Sequence, residues 1–272
     1  MQAAEERAPP TAELTAFVFQ KSFANSVPNN LSRTGIPIKG GDPYKVWYES
    51  CQMPMRELRR NYELKALNRE DLLPDPIDQF HRWFADAQAA DPPDWLELNA
   101  MTLATYDVDS RQLSARIVLL KHADTHGFTF FTNYDSDKGH QLAGHPSAAL
   151  VLYWPHIERQ VRVQGSVTKT DIETSAQYFH ARPRSSQLGA AASMQSTVVT
   201  DRRVLESEVA RLDNLYEGRE VPCPEHWGGY VVSPHSVEFW QGRRDRLHDR
   251  FLYRLDGQRD GRHHWEIQRL SP

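Results

Sequence analysis

The sequence predicts a mainly β fold: an antiparallel barrel with helices packed on its outside. Three observations predict it. Between residues 99 and 167, short runs rich in β-branched and aromatic residues follow one another closely. Turn-forming stretches such as DVDSRQ, DTHG and GHPS separate them. After two helical stretches the chain returns to strands and ends in them.

Each element has its own warrant. Residues 1 to about 54 are rich in Pro, Ala, Asn and Gly and show no sustained period. They are expected to form a disordered or loosely attached extension, leaving 55–272 as the folded domain. Asp75 is placed to cap a helix through PIDQFHRWFADAQAA, where Ile77, Phe80, Trp83 and Phe84 share one face. NAMTLATY, LSARIVLLK, GFTFFTN, SAALVLYW and ERQVRVQGSV read as strands. In the last of these, period two puts Val161 and Val163 on one side and Gln160, Arg162 and Gln164 on the other. Such a polar outer face is either plain solvent exposure or the lining of a site at a subunit boundary. DIETSAQYFHAR and DRRVLESEVARLDNLY read as helices, and GGYVVSP, SVEFWQG, DRFLYRL and HHWEIQRL as strands.

Composition narrows the function. With 272 residues and a formal charge of −4, nothing overall draws the chain to nucleic acid or anionic membranes, so such a partner would need a local basic patch. Cys51 and Cys223 are far apart and in no metal-ligand spacing, which suits a reducing compartment. No apolar run approaches the roughly 18 residues of a spanning helix, and the N-terminus lacks a secretory pattern. A cytoplasmic protein is expected. GxGxxG, GxxxxGK[ST], HExxH and GxSxG are absent. His263 and His264 are neighbours in a strand and face opposite ways, so no metal site is expected.

Two segments stand out chemically. YFHARPRSSQLG places Tyr178, Arg182, Arg184, Ser185 and Ser186 around a helix end at Pro183. Guanidinium forks and hydroxyls converging at a turn suit a phosphate dianion. Cations offsetting a helix C-terminus would read the same way. FWQGRRDRLHDRF crowds Arg243, Arg244, Arg246, His248 and Arg250 into one loop. In an extended conformation Arg246, His248 and Arg250 would point the same way, toward an anionic ligand or simply into solvent. Aromatic residues flank this loop, but no nucleic-acid-binding pattern accompanies them. A third run, SARIVLLK, brackets an apolar core with Arg116 and Lys121, which parity places on opposite faces.

Taken together, RIVLLK, FFTN..S.KG, ERQVRV.G, YFHARPRSSQLGA, QS, WGGY, EFWQG, RLHDRF and the closing RLSP resemble the pyridoxine/pyridoxamine 5′-phosphate oxidase family. They occur in the family's order over about Arg59 to Pro272. The resemblance implies an FMN-binding split β-barrel that is homodimeric, with the flavin between subunits. It implies oxidation of pyridoxine 5′-phosphate and pyridoxamine 5′-phosphate to pyridoxal 5′-phosphate, the last step of vitamin B6 salvage. A hydride would pass from substrate C4′ to flavin N5, and O2 would reoxidise the flavin to give H2O2, with NH3 released from the amine.

Carried over residue by residue, the resemblance puts Arg116, Lys138 and Ser196 on the FMN phosphate, and Ile117, Val118 and Leu119 beneath the ring. Phe131, Thr132, Gln160, Gln195, Trp240 and Arg250 complete the cofactor pocket. Lys121, Tyr178, Arg182 and Ser186 would hold the substrate phosphate. Arg246, Leu247 and His248 would meet the pyridine, with Arg246 and His248 as the catalytic pair. Arg59 and Tyr62 resemble the family's segment that closes over substrate. Two departures matter: Glu97 stands where some members have Asp, and Asp137 stands where the family usually has Arg. A charge-assisted contact of about 1.5–3 kcal/mol would be lost, so weaker FMN retention is expected.

Overall fold

Alternating burial builds the barrel wall. The computed structural model describes residues 61–259 and 262–272; Arg59 and the expected N-terminal extension lie outside the described residues. The strands are β1 (Ala100–Asp107), β2 (Gln112–Leu119), β3 (His122–Asp124), β4 (Gly127–Asn133), β5 (Ser147–Trp154), β6 (Arg159–Lys169), β7 (Trp227–Gln241), β8 (Asp249–Arg259) and β9 (Arg262–Leu270). Met101, Leu103, Leu150, Leu152, Val161, Val163, Val237 and Phe239 point inward at every second position and are almost fully buried. The opposite face of the same strands carries Gln160, Arg162 and Gln164, as period two predicts.

The sheet order is β2-β1-β5-β6-β7-β4-β3, with antiparallel neighbours. β2 runs straight on into β3. At the junction Leu120 N–H donates to Asn99 on the β1 side, and the next residue, Lys121, donates to Thr129 in β4. The two ends of the order are therefore one piece of chain, and the sheet closes into a barrel. The barrel is split at β7. Trp227–Asn133 and Val232–Phe128 bound the pairing of β7 with β4, whereas Ser236 to Gln241 pair with β8.

Pro234 sits in the gap between those two partners, where the β6–β7 register also shifts. A proline has no N–H to give a ladder, and at a bulge between two outer partners none is required. This is why GGYVVSP and SVEFWQG, which read as two runs, form one continuous strand.

Among the described residues five α-helices lie around the barrel: α1 (Pro76–Ala89), α2 (Asp137–Gly144), α3 (Ile172–Ala181), α4 (Arg184–Ala192) and α5 (Arg202–Leu215). Asp75 caps α1 by accepting the Ile77 N–H at 2.7 Å. The apolar face of α1 sets Phe80 edge-on to Phe128 at 5.1 Å and Trp83 edge-on to Phe239 at 5.0 Å. α3, α4 and α5 bury a smaller cluster of Phe179, Leu188, Leu212, Val221 and Trp227. α2 and α4 are additions to the sequence reading. Pro183, taken there as a helix end, is the residue that precedes α4, a position where its fixed φ and missing donor are tolerated.

Candidate active site

At the start of α2, Ser136 caps the helix through the Gly139 N–H. Gly139 is required there, because a Cβ would stand 1.9 Å from the Tyr134 carbonyl oxygen. This close turn holds Lys138 inward and 8% exposed. Its ammonium donates to Ser136 Oγ at 3.0 Å and to Gln195 Oε1 at 2.8 Å. Arg116, on the inner side of β2, donates to Thr105 Oγ1 at 2.5 Å and to Gln141 Oε1 at 3.1 Å. Thr132 Oγ1 also reaches Gln195, and Ser196 Oγ accepts the Asp137 N–H at 3.2 Å. Ser196 holds φ +73°, a strained value for a residue with a side chain.

Two cations thus share one partly buried spot, bound only to neutral oxygens among the described residues. Burial pushes the Lys138 ammonium down to about 8, and the charge of Arg116 pushes the same way. Asp137 pulls both cations weakly upward. Gln141, Thr105 and Ser136 belong to this cluster although sequence reasoning missed them; Gln141 lies one helical turn beyond Lys138.

Around the end of α3 a third cation is held. Phe131 stacks on Tyr178 at 4.0 Å and on Trp227 at 5.6 Å, and the Arg182 guanidinium lies over Trp227 at 4.8 Å. Arg182 donates from Nη2 to the Ser186 carbonyl at 3.0 Å, while its buried Nη1 has no partner. Burial lowers its pKa. Lys121, Phe131 and Tyr178 line one groove. Arg184 has a different job: it donates to the Asp213, Tyr216 and Arg219 carbonyls and pairs with Asp213 at 3.0 Å. Arg184 thus serves the C-terminal end of α5 rather than of α3, while Arg182 stays by the end of α3.

A third cluster sits on the outer face of β6, β7 and β8. Gln160, Trp240 and Arg250 are directly opposite one another across these strands. Trp240 lies 4.6 Å from the His248 ring, and Tyr62 packs edge-on to both at 5.6 Å. A Cβ on Gly242 would fall 2.7 Å from the Tyr62 ring, so glycine admits this contact. His248 Nδ1 accepts the Arg243 N–H at 3.1 Å, and its pKa is lowered by burial first and by Arg246 second. The imidazole is thus neutral at pH 7, with its proton on Nε2.

The shared extended face expected for Arg246, His248 and Arg250 is not found. Arg244–Arg246 form a 3-10 turn in which Asp245 and Arg246 take φ +57° and +62°. The clustered cations favour this turn over a strand, and β8 begins only at Asp249. Arg250 is instead drawn to Glu238, with 2.8 and 3.1 Å contacts. Leu247 is exposed, as is Ile117 on the outer face of β2, while Val118 packs against the core and Leu119 is half-buried.

The first two clusters adjoin through Phe131 and Thr132, consecutive residues of β4. The third stands apart. In the sheet order β1, β5 and β6 stand between β2, which carries Arg116, and β7, which carries Trp240. No hydrogen bond, ion pair or ring contact joins their clusters among the described residues.

Comparison with known proteins gives a consistent family. Residues 93–216 match the model described as pyridoxamine 5′-phosphate oxidase, and residues 227–272 the one described as the pyridoxine 5′-phosphate oxidase C-terminal dimerisation region. The chain is 51% identical to a pyridoxine/pyridoxamine 5′-phosphate oxidase of Rhodopirellula baltica, over 80% of this chain and 96% of the relative. It is 50% identical to the Cyanothece protein of the same name, over 79% and 97%. Among solved structures, PhzG from Burkholderia lata, in complex with tetrahydrophenazine-1-carboxylic acid, aligns with TM-score 0.70 and 30% identity over 77% of this chain and all of that one. A pyridoxamine 5′-phosphate oxidase-related, FMN-binding protein from Nostoc punctiforme shares the fold, with TM-score 0.55 and 14% identity over 72% of this chain and 96% of that one. The dimerisation region supports a homodimer, and no helix among the described residues is long and apolar enough to cross a membrane. With its split barrel, its clustered cations and half-identical relatives over most of its length, the chain belongs to the pyridoxine/pyridoxamine 5′-phosphate oxidase family of oxidoreductases.

Proposed function

We propose that two copies of this chain oxidise pyridoxine 5′-phosphate and pyridoxamine 5′-phosphate to pyridoxal 5′-phosphate, with FMN as cofactor and O2 as electron acceptor. H2O2 is the by-product, and the amine also releases NH3. One observation carries the reading. The chain keeps two separate sites of desolvated cations, Arg116 with Lys138 and, around the end of α3, Arg182 with its unpartnered Nη1, and no carboxylate among the described residues forms an ion pair with them. Burying charge in this way costs stability unless an anion arrives. Two phosphate tails, one on the cofactor and one on the vitamer, meet that need, so the residues fit FMN.

Arg116 and Lys138 would hold the cofactor phosphate with Ser196, while Thr132 and Gln195 fix the lysine. Ile117, Val118, Leu119 and Phe131 would pack against the ring. Lys121, Tyr178, Arg182 and Ser186 would anchor the substrate phosphate, with the unpartnered Arg182 Nη1 as its chief donor. A second copy would bring its own Gln160, Trp240 and Arg250, which accounts for their distance from Arg116 within one chain. Leu113 and Ile117 on the outer face of β2 are apolar and exposed, and suit that contact. FMN, when bound, supplies a two-electron acceptor for the hydride leaving C4′.

The protein's part is binding and orientation. Phosphate anchoring far from the reacting carbon fixes the pyridine in place. Arg246 would stabilise negative charge at the ring oxygen and the C4′ substituent. His248, neutral with Nδ1 already engaged, would offer Nε2–H as an orienting donor. Tyr62, packed against Trp240 and His248, would shield the site from water.

A second reading follows from the resemblance to PhzG: oxidation of a carboxylated ring without a phosphate. The identity of about half to the vitamer oxidases and the Arg182 Nη1 favour the phosphate ester. The test is direct. Purified yellow protein should bleach anaerobically with pyridoxine 5′-phosphate and recover its colour in air. Bleaching that is equally fast with unphosphorylated pyridoxine, or absent with both phosphorylated vitamers, would overturn the proposal.

A further inference from the structure

Glu238 stands on the outer face of β7, two residues before Trp240, yet it is only 6% exposed. It accepts from Arg250 through Nε at 2.8 Å and Nη2 at 3.1 Å, and from Arg162 through Nη1 at 3.0 Å. Arg162 is its direct cross-strand partner on β6, and Arg250 lies diagonally across on β8. Arg250 is tied at its far end as well, donating from Nη1 to the Ser271 carbonyl at 2.9 Å. Three of its five N–H groups are therefore committed, and the guanidinium plane is fixed from two sides.

Resting on the cofactor reading above, we propose that Glu238 is a positioning residue for FMN binding, acting by holding the Arg250 guanidinium in its binding orientation beside Trp240. Donor arithmetic supports this. Arg250 keeps one free N–H on each of Nη1 and Nη2, both on a plane that the fork of bonds prevents from turning. Charge supports it too. Two guanidiniums against one carboxylate leave the triad at +1, so Glu238 orders the arginines without cancelling their pull on an anionic ligand. Arg162 serves as the counterweight: without it, Glu238 would neutralise Arg250 one for one. Arg250 lies in the same cross-strand row as Gln160 and Trp240, and Glu238 one row along on the same face, so any shift of Glu238 moves the guanidinium along the face the ring would occupy.

A purely structural ion triad would make a different prediction, and a double-mutant cycle separates the two. Full-length protein freed of flavin is titrated with FMN, and binding is read by quenching of flavin fluorescence. Four forms are compared: wild type, Glu238→Gln, Arg250→Met, and the two together. We expect Glu238→Gln to weaken FMN about tenfold and Arg250→Met by at least as much. The combined form should bind no more weakly than Arg250→Met alone. Equal weakening by Glu238→Gln in both backgrounds, or none in wild type, would overturn the role of Glu238. If Arg250→Met alone leaves FMN affinity unchanged, the cofactor assignment of Arg250 fails, and the positioning role falls with it. Should Glu238→Gln not fold, Glu238→Asp in the same two backgrounds keeps the charge, shortens the anchor and is judged by the same criterion.

Discussion

Two cation-rich regions of this molecule are built in opposite ways. On the outer face, Arg162 and Arg250 converge on Glu238, Arg243 and Arg269 on Asp249, and Arg244 on Glu63. At the start of α2, Arg116 and Lys138 crowd together on neutral oxygens. In the first region carboxylates already hold the arginines in place before any ligand arrives. The second is held under mutual repulsion and desolvation, and an anion relieves both. A count of basic residues along the sequence draws attention to the first region, since the Arg243–Arg250 loop is the denser, whereas burial on neutral partners draws it to the second. What marks an anion site is a buried cation whose partners are neutral.

The comparison can be broken most forcefully at Lys138. Lys138→Met should weaken FMN by roughly 10- to 100-fold, the cost of losing a charge-assisted contact at a desolvated site. Arg244→Met, which removes an exposed pair with Glu63, should change it less than about twofold. Equilibrium titration of both variants checks this. Similar losses in the two would erase the distinction between the regions.

Proton linkage sharpens it. The ligand-free ammonium of Lys138 titrates near 8, below its ordinary value, and a bound phosphate raises it again. Below pH 8 the lysine is already charged when the ligand arrives; above pH 8 binding must first recruit a proton. FMN affinity should therefore fall as pH rises through 8. Calorimetry at pH 8 in buffers of different ionisation heat should show uptake of roughly half a proton. Lys138→Met should abolish that uptake.

A smaller effect than at Lys138 is expected at Asp137. It is exposed at the first position of α2, where a carboxylate favours the helix N-terminus. Asp137→Arg should tighten FMN several-fold while lowering helix stability by about 0.3–1 kcal/mol. Thermal melts with and without FMN should thus cross: the variant is less stable empty and more stable loaded. Unchanged flavin affinity would refute the expected penalty of Asp137.

Much of the architecture was legible because it rests on periodicity. The capped α1 and the strands from Ala100 to Lys169 follow directly from burial at every second position or along one helical face. β7 was not legible as one strand, since Pro234 punctuates it and only the split between β4 and β8 shows why a proline is harmless there. α4 was hidden for the related reason that Pro183, which does follow the end of α3, is also the residue from which α4 starts. In the site, Arg182 and Arg184 are chemically identical two residues apart. Only the fold shows that one caps α5 while the other keeps a bare nitrogen over Trp227. Glu238 carried no signal at all, because a charged residue on an outer face is ordinary until two guanidiniums are found closing on it.

The central claim is that separate sets of cations hold two anionic tails, and Arg182→Ala tests it most directly. Titrated in turn with FMN and with pyridoxine 5′-phosphate, this variant should retain flavin within about twofold of wild type. Its affinity for the phosphorylated vitamer should fall on the order of 10- to 100-fold. Loss of flavin together with substrate, or no loss of either, would contradict the account.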